Sequence, residues 1–200
     1  MADDLNQVHL TSRQIQVLAH PLRIRLLGRL RGDGPATATH LAAVLSTNTG
    51  ATSYHLRQLA DAGLVIEEER PGSGRQRWWR AAHEMSSWRR SYYLDDPDAT
   101  AAAEWLETFQ AGRFVELAEE WRRGVAAEPP EWRDAGELSD YLLHLDAEQV
   151  RALMEEIEEV VVRHDRAAQA DPRPGLRPVS LYLAALPRSP KPEDPSPEEK

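Results

Sequence analysis

The chain of 200 residues contains no cysteine, which excludes disulfide bonds and metal sites built on thiolates. No apolar run approaches the roughly 20 residues that a membrane-spanning helix needs, so we expect no membrane association. The first ten residues, MADDLNQVHL, are polar and acidic, which is unlike a signal peptide. Lysine is nearly absent, so arginine supplies almost all of the positive charge. The length allows one or two small domains, and the lack of cysteine fits a reducing compartment.

The two signs of charge are separated along the chain. Between residues 11 and 83, ten arginines face five acidic residues, which gives this segment a formal charge of +5. The whole chain nevertheless carries −9, so the acidic excess lies in residues 84–200. Such asymmetry is typical of a nucleic-acid-binding end joined to an acidic end with another task.

Residues 41–65 predict two short helices joined by a tight turn, then a glycine stop and a strand. Asn48 is a good N-cap for the second helix, which spans 48–62, and Gly63 ends it where a positive φ is often required. This order is typical of a helix-turn-helix whose second helix enters the DNA major groove. The candidate DNA contacts on that recognition helix are Asn48, Thr49, Gly50, Thr52, Ser53, Tyr54 and Arg57.

Two strand-like runs follow the recognition helix, at residues 64–70 and 75–82. A Pro-Gly-Ser-Gly sequence at 71–74 joins them and indicates a hairpin turn. We predict that this hairpin is a wing over residues 70–77 that reaches a minor groove or its phosphates. The alternative is a solvated hairpin without function. The candidate DNA contacts of the wing are Arg70, Arg75 and Arg77.

Residues 12–83 resemble the ArsR/SmtB-type winged helix-turn-helix transcriptional regulators. The resemblance lies in His20-Pro21-Leu22-Arg23, in SYHLRQLADAGLV at 53–65, and in the wing that follows. It implies a dimeric, cytoplasmic regulator, most simply a repressor, that binds a promoter operator in double-stranded DNA. The chain departs from the family in lacking the cysteines of its metal-sensing members. A small-molecule effector therefore stays open, and no cofactor is expected.

Two helices are expected before the helix-turn-helix. The first spans 12–19 and places Ile15 and Leu18 on one side, and Pro21 suits the first turn of the second. His20 and His55 stand at packing positions, where a structural role is the simpler interpretation. We assign Ile15 and Leu18 to the dimer interface.

Residues 84–135 predict a helical connecting and dimerisation segment. Asp95-Asp96-Pro97-Asp98 begins a helix that should run to about Ala127 with an apolar series close to a 3.6-residue period. Aromatic anchors are typical of interfaces, so the predicted dimer interface also contains Trp105, Phe109 and Trp121. An aromatic-lined ligand pocket and plain core packing are the alternatives.

Residues 136–187 predict a small α+β unit, and the proline-rich residues 188–200 predict a disordered tail. Its parts are a short strand at 138–145, a helix that Asp146 caps, and a second strand in PVSLYLAAL. Asp140 and His144 would lie roughly 13 Å apart on such a strand, too far to share a metal. We interpret them, and the adjacent His164 and Asp165, as solvent-facing polar residues rather than a His/carboxylate metal site.

The predicted fold is mainly α with small β: a winged helix-turn-helix, a helical segment and a small α+β unit. The sequence lacks a phosphate loop and the HExxH, CxxC and G-x-S-x-G motifs, so no enzyme is expected. We predict a homodimeric DNA-binding transcriptional regulator. One alternative is a protein-interaction scaffold that does not read DNA specifically, and another is an enzyme with a C-terminal pocket.

Overall fold

The computed structural model describes residues 7–70 and 76–188 of the chain. The chain divides into two compact units, Met1–Arg133 and Asp134–Lys200. Within the described ranges, no helix combines the length and the hydropathy needed to cross a membrane. The elements in chain order are β1 (Gln7–His9), α1 (Ser12–Leu18), α2 (Pro21–Gly32), β2 (Ala36–Thr37), α3 (Ala38–Val44), α4 (Thr49–Asp61), β3 (Val65–Glu68), β4 (Trp78–Ala81), β5 (Met85–Ser87), a 3₁₀ turn (Arg90–Tyr93), α5 (Pro97–Gly124), a 3₁₀ turn (Val125–Ala127), α6 (Pro130–Ala135) and α7 (Ala147–Ala170).

The two predicted N-terminal helices are confirmed, and each begins at a side-chain cap. Thr11 and Gln14 form a reciprocal capping box at the start of α1. The Nδ1 atom of His20 accepts a hydrogen bond of 3.1 Å from the backbone N–H of Leu22, so an imidazole caps α2. Pro21 follows in the first turn, where its missing N–H costs nothing.

The predicted hairpin is confirmed as β3 and β4, which pair antiparallel with Val65 opposite Ala81. The turn that would join them, at 71–75, lies outside the described residues. Three strands, β1, β2 and β5, were not predicted. The two-residue β2 pairs with the other side of β4, with Ala36 opposite Trp79, and β1 pairs parallel with β5. Strands this short carry no periodic signal in the sequence, because two or three residues cannot show an alternation.

The core of the first unit joins the helix-turn-helix to the first half of α5. Small side chains let α5 approach α1 closely, because Ala99 and Ala103 are fully buried and stand beside the buried Leu106. Ile15 and Leu18 of α1 are 0% and 3% exposed in this core. The structure therefore removes Ile15 and Leu18 from the predicted dimer interface, since a side chain buried in its own subunit has no surface to offer.

Two buried polar contacts fix the path of the chain after the hairpin. The hydroxyl of Tyr93 donates a 2.6 Å hydrogen bond to the carbonyl of Leu10 in the interior. Arg31 of α2 donates from Nε to the carbonyl of His83 at 2.9 Å and from Nη1 to the hydroxyl of Ser86 at 3.2 Å. Burial lowers the pKa of Arg31 to about 10, so the guanidinium still carries its charge at neutral pH.

The second unit contains the predicted helix but neither predicted strand. Asp146 and Gln149 form a capping box at the start of α7, which confirms the helix. Residues 138–145 and 178–186 have no regular secondary structure, so the predicted strands are wrong for the single chain. A strand exists only with a hydrogen-bonded neighbour, and none is present beside either segment in the part of the chain that is described. Most of the predicted tail, 189–200, lies outside the described residues.

Candidate nucleic-acid interface

The recognition helix α4 begins with a well-formed cap. The side chain of Asn48 accepts a hydrogen bond of 2.7 Å from the backbone N–H of Ala51. A Cβ atom on Gly50 would lie 3.3 Å from the cap oxygen of Asn48, which is a tight contact. Glycine therefore leaves the cap hydrogen bond undisturbed and adds no side chain to the first turn of the helix. Asn48, Thr49 and Gly50 are all exposed, as predicted for DNA contacts.

The inward face of α4 is fixed by buried side chains, and Thr52 belongs to it. Leu56 and Leu59 are completely buried. Thr52 is also 0% exposed, and its hydroxyl donates a 3.1 Å hydrogen bond to the carbonyl of Asn48. Thr52 lies on the same side of the helix as Leu56, four residues later, because of the 3.6-residue period. The structure therefore removes Thr52 from the predicted DNA contacts.

The outward face of α4 brings together the remaining predicted contacts. Gly50, Ser53, Tyr54 and Arg57 fall on one face by helical spacing. Tyr54 is 53% exposed, Arg57 is exposed and Ser53 is half-buried. Arg57 has no hydrogen-bond or ion-pair partner among the described residues, so its guanidinium is available to a ligand. Tyr54 and the unpaired Arg57 therefore stand beside the small residues Gly50 and Ser53 on one exposed face.

A cluster of aromatic and cationic side chains supports this face from below. The rings of His20 and His55 lie with their centroids 4.4 Å apart, and Tyr54 meets His55 edge-on at 5.2 Å. The Nδ1 atom of His55 and the Nε atom of Arg23 are buried without a hydrogen-bond partner among the described residues. We call His20, Arg23, Tyr54 and His55 the brace, because it connects the start of α2 to the recognition helix.

The brace lowers the pKa of both of its histidines. Burial lowers the pKa of His20, and the nearby Arg23 lowers it further. Burial likewise lowers the pKa of His55, with smaller contributions from His20 and Arg23. The predicted structural role of both histidines agrees with these contacts. Arg23 was missed, although its place three residues after His20 in the first turn of α2 was a usable signal.

The wing arginines are paired with acidic residues of the same hairpin. Arg70 contacts Glu68 at 2.9 Å and lies over the ring of Trp78, and Arg77 contacts Glu67 at 2.9 Å. Exposed pairs of this kind stabilise a protein by only about 0–1 kcal/mol, so exchanging a carboxylate for a phosphate costs little. Arg75 lies outside the described residues.

The predicted aromatic interface of α5 is only partly free. Trp105 stacks on Phe109 with ring centroids 5.2 Å apart, and both are half-buried. Trp121, in the second half of the helix, is 36% exposed. The same half also exposes Phe114 and Val115. Exposed large apolar side chains of α5 therefore lie towards its C-terminal end, beyond the segment that packs on α1.

No group of three or more His, Cys, Asp or Glu side chains is placed to hold a metal ion in the described parts of the chain. Asp140 and His144 lie in the irregular segment before α7, and both are exposed.

Comparison with known proteins agrees with this geometry. Residues 18–68, from the end of α1 to the end of β3, match a family model described as a helix-turn-helix domain, which confirms that prediction. No curated protein matches the chain at a significant level.

Several solved structures are similar to the chain. One is a possible transcriptional regulator for arsenical resistance, with 31% identity, coverage of 52% of this chain and 93% of the other, and a TM-score of 0.31. Another is an ArsR family transcriptional regulator, with 24% identity, coverage of 57% and 97%, and a TM-score of 0.30. A third is a homodimeric winged helix-turn-helix domain from Mycobacterium bovis, with 18% identity, coverage of 66% and 85%, and a TM-score of 0.33. The family match shows a helix-turn-helix segment at residues 18–68 of the chain.

Proposed function

We propose that this chain, which carries an ArsR-type helix-turn-helix segment, is a homodimeric transcriptional repressor that binds an operator in promoter DNA. The observation that carries the proposal is the outward face of α4, where Tyr54 and the unpaired Arg57 project beside Gly50 and Ser53. In the complex, this face enters the major groove, and Asn48 and Thr49 lie at its edge. We expect the protein to act in the cytoplasm.

Base recognition is assigned to α4 and phosphate contact to the wing. Arginine can donate two parallel hydrogen bonds to the edge of guanine, which makes Arg57 the strongest candidate for specificity. Arg70, Arg75 and Arg77 of the wing supply affinity that is independent of sequence. The net charge of +5 over residues 11–83 favours the same surface, and a dimer doubles it.

The dimer is assigned to the second half of α5. Two recognition helices read half-sites about 34 Å apart only when their separation is fixed. Trp105 and Phe109 are partly used within the subunit, whereas Phe114, Val115 and Trp121 expose apolar surface. Aromatic side chains of this size are typical anchors of interfaces.

The proposal is tested by titrating the full chain into labelled duplex DNA of random sequence at several salt concentrations. If about six phosphates are neutralised, log K falls against log salt with a slope near −5. A control titration uses a variant with Arg57→Ala and Arg77→Ala together, which should have a shallower slope. Affinity that stays flat with salt, or absent DNA binding, would instead support the protein-interaction scaffold.

A further inference from the structure

Two segments of the second unit expose a large amount of apolar surface. They flank α7 and comprise residues 138–145 and 178–186, which we call the flanking segments. Together they expose ten large apolar side chains, and Leu138, Tyr141, Val179 and Leu186 are 78%, 80%, 74% and 83% exposed. Exposed apolar side chains in this number are rare in a monomer and indicate an interaction site.

Each flanking segment has three successive alternate positions that are apolar. The positions between them are mixed and include Asp140, His144 and Ser180 but also Leu142 and Tyr182. In a strand, alternate side chains point to opposite faces, so each segment would have one apolar face and one mixed face. The two apolar series are Tyr141, Leu143 and Leu145, and Val179, Leu181 and Leu183.

A single copy cannot use this pattern well. The flanking segments could at most form a two-stranded sheet, and such a sheet is marginal in water. Three or more strands with an apolar face are needed for independent stability. Within the described residues neither flanking segment forms a strand, although the sequence favours one in each. What is lacking is therefore a neighbour of matching length and pattern.

We propose that the flanking segments of one copy pair with those of a second copy of this chain and form an inter-subunit sheet. The sheet then has four strands, two from each subunit, and its apolar face is covered by the two α7 helices. One face of α7 is an apolar stripe whose side chains are half-buried, so it can pack against the sheet. The stripe is formed by Val150, Leu153, Met154, Ile157 and Val161. This inference rests on the dimer of the proposed function and names a second surface that holds it together.

The size of this surface suits a stable dimer. The flanking segments and the α7 stripe together approach the roughly 20–30 residues that each partner contributes to a standard interface. A two-fold axis sets the same strand edge against itself, so the backbone of a second copy is complementary without any other partner. Neither apolar series contains a charged residue, and the surface therefore carries no repulsion between like charges across the axis.

The experiment combines sedimentation equilibrium of the full chain with amide hydrogen exchange at high and low protein concentration. We expect a dimer, and amides of residues 138–145 and 178–186 that are protected in the dimer and exchange faster when dilution dissociates it. Protection that does not change with concentration would show pairing within one copy and would overturn the proposal. A dimer whose flanking amides exchange freely would also overturn it, because the contact would not be a sheet.

Adjacent substitutions provide a matched pair of variants. Leu181→Asp places a charge on the apolar face, whereas Ser180→Asp adds the same charge to the opposite face of the same segment. Because each substitution occurs twice in a dimer, Leu181→Asp should weaken dimerisation by roughly 100-fold or more. Ser180→Asp should leave it within about threefold, since an exposed position contributes little. Equal effects of the two variants would contradict the assigned face.

The outcome is separable from that of the proposed function. Circular dichroism of the full chain reports whether Leu181→Asp keeps its helix content, which includes α7 of the second unit, and Leu181→Ala gives a milder second variant in case it does not. A chain that dimerises through the flanking segments but never binds duplex DNA would refute the proposed function alone. A chain that binds DNA with protected dimer contacts elsewhere and free flanking amides would refute this inference alone.

Discussion

Replacing Arg57 by alanine should remove sequence preference and leave the fold unchanged. Arg57 is exposed on α4 and has no hydrogen-bond or ion-pair partner among the described residues, so the free protein loses no contact. Alanine also has a helix propensity at least as good as that of arginine. We therefore expect thermal unfolding to give a free energy of unfolding within about 0.5 kcal/mol of that of the unsubstituted chain.

The effect on DNA should be large because the dimer presents Arg57 twice. A bidentate contact to guanine discriminates against the wrong base by about 1–3 kcal/mol. Two such contacts give about 2–6 kcal/mol, which is roughly 30-fold to more than 10,000-fold in affinity for the operator. Binding to unrelated duplex DNA should fall much less, because only one charge per subunit is removed and each phosphate contact is a modest electrostatic gain.

The assay is fluorescence anisotropy with operator and scrambled duplexes at a fixed salt concentration. Arg57→Lys keeps the charge but loses the planar pair of donors, so it should resemble the alanine variant on the operator and the unchanged chain on scrambled DNA. Arg173→Ala removes an exposed arginine of the second unit and is the charge-matched control. If Arg57→Ala lowers both affinities by the same factor, Arg57 contacts phosphate and the recognition face is wrongly assigned.

The pKa values of His20 and His55 are held below 6.5 by burial, so the unfolded chain binds more protons as the pH falls through that value. The free energy of unfolding should therefore be greatest above about pH 6.5 and decrease below it. The His55→Gln variant should show a smaller pH dependence, measured from the midpoints of urea unfolding. Gly50→Ala alone should change the free energy of unfolding little, because the new Cβ meets the Asn48 side chain at 3.3 Å. In an Asn48→Ala background this contact is gone, and the same substitution should stabilise the protein by up to about 1 kcal/mol. A double-mutant cycle measured by thermal unfolding would show whether the two residues are coupled. Leu106→Ala should cost about 2–5 kcal/mol in chemical unfolding, because the side chain is fully buried between α5 and the domain core, and a cost below 1 kcal/mol would contradict that packing.

The helix-turn-helix could be predicted because its local signals agree with one another. Asn48 supplies a cap, Gly63 has the positive φ of 71° that its position requires, and the leucines between them follow the helical period. Each signal is encoded within a few residues, so no distant contact is needed to interpret it. Helices α1, α2, α5 and α7 were predictable for the same reason, since each begins at a side-chain cap.

One prediction failed because a local signal was misread, and the others failed because they depended on distant contacts. Thr52 was placed on the DNA face because its residue type suits a groove, yet its position four residues before Leu56 puts it in the core. Ile15 and Leu18 form an apolar face that the sequence cannot assign to a core or to an interface. The structure shows that α5 covers it from about 85 residues further along the chain. Pairing of β1 with β5 spans a similar separation.

The flanking segments are another case in which the local sequence was not sufficient. Their apolar residues predicted strands, but within the described residues neither segment has a hydrogen-bonded neighbour and neither forms a strand. The brace was only half predictable. His20 and His55 were visible as packing residues, but their contact at 4.4 Å joins residues 35 apart and could not be inferred from either local sequence.

Selection of binding sites from a pool of random duplex DNA tests the central claim most directly. The full chain should enrich a motif with two related half-sites whose centres lie about 10 base pairs apart, and Arg57→Ala should lose the guanine preference within each half-site. A pool that shows no enrichment after repeated rounds, with a chain that is folded and dimeric, would contradict the account of a sequence-specific DNA-binding regulator.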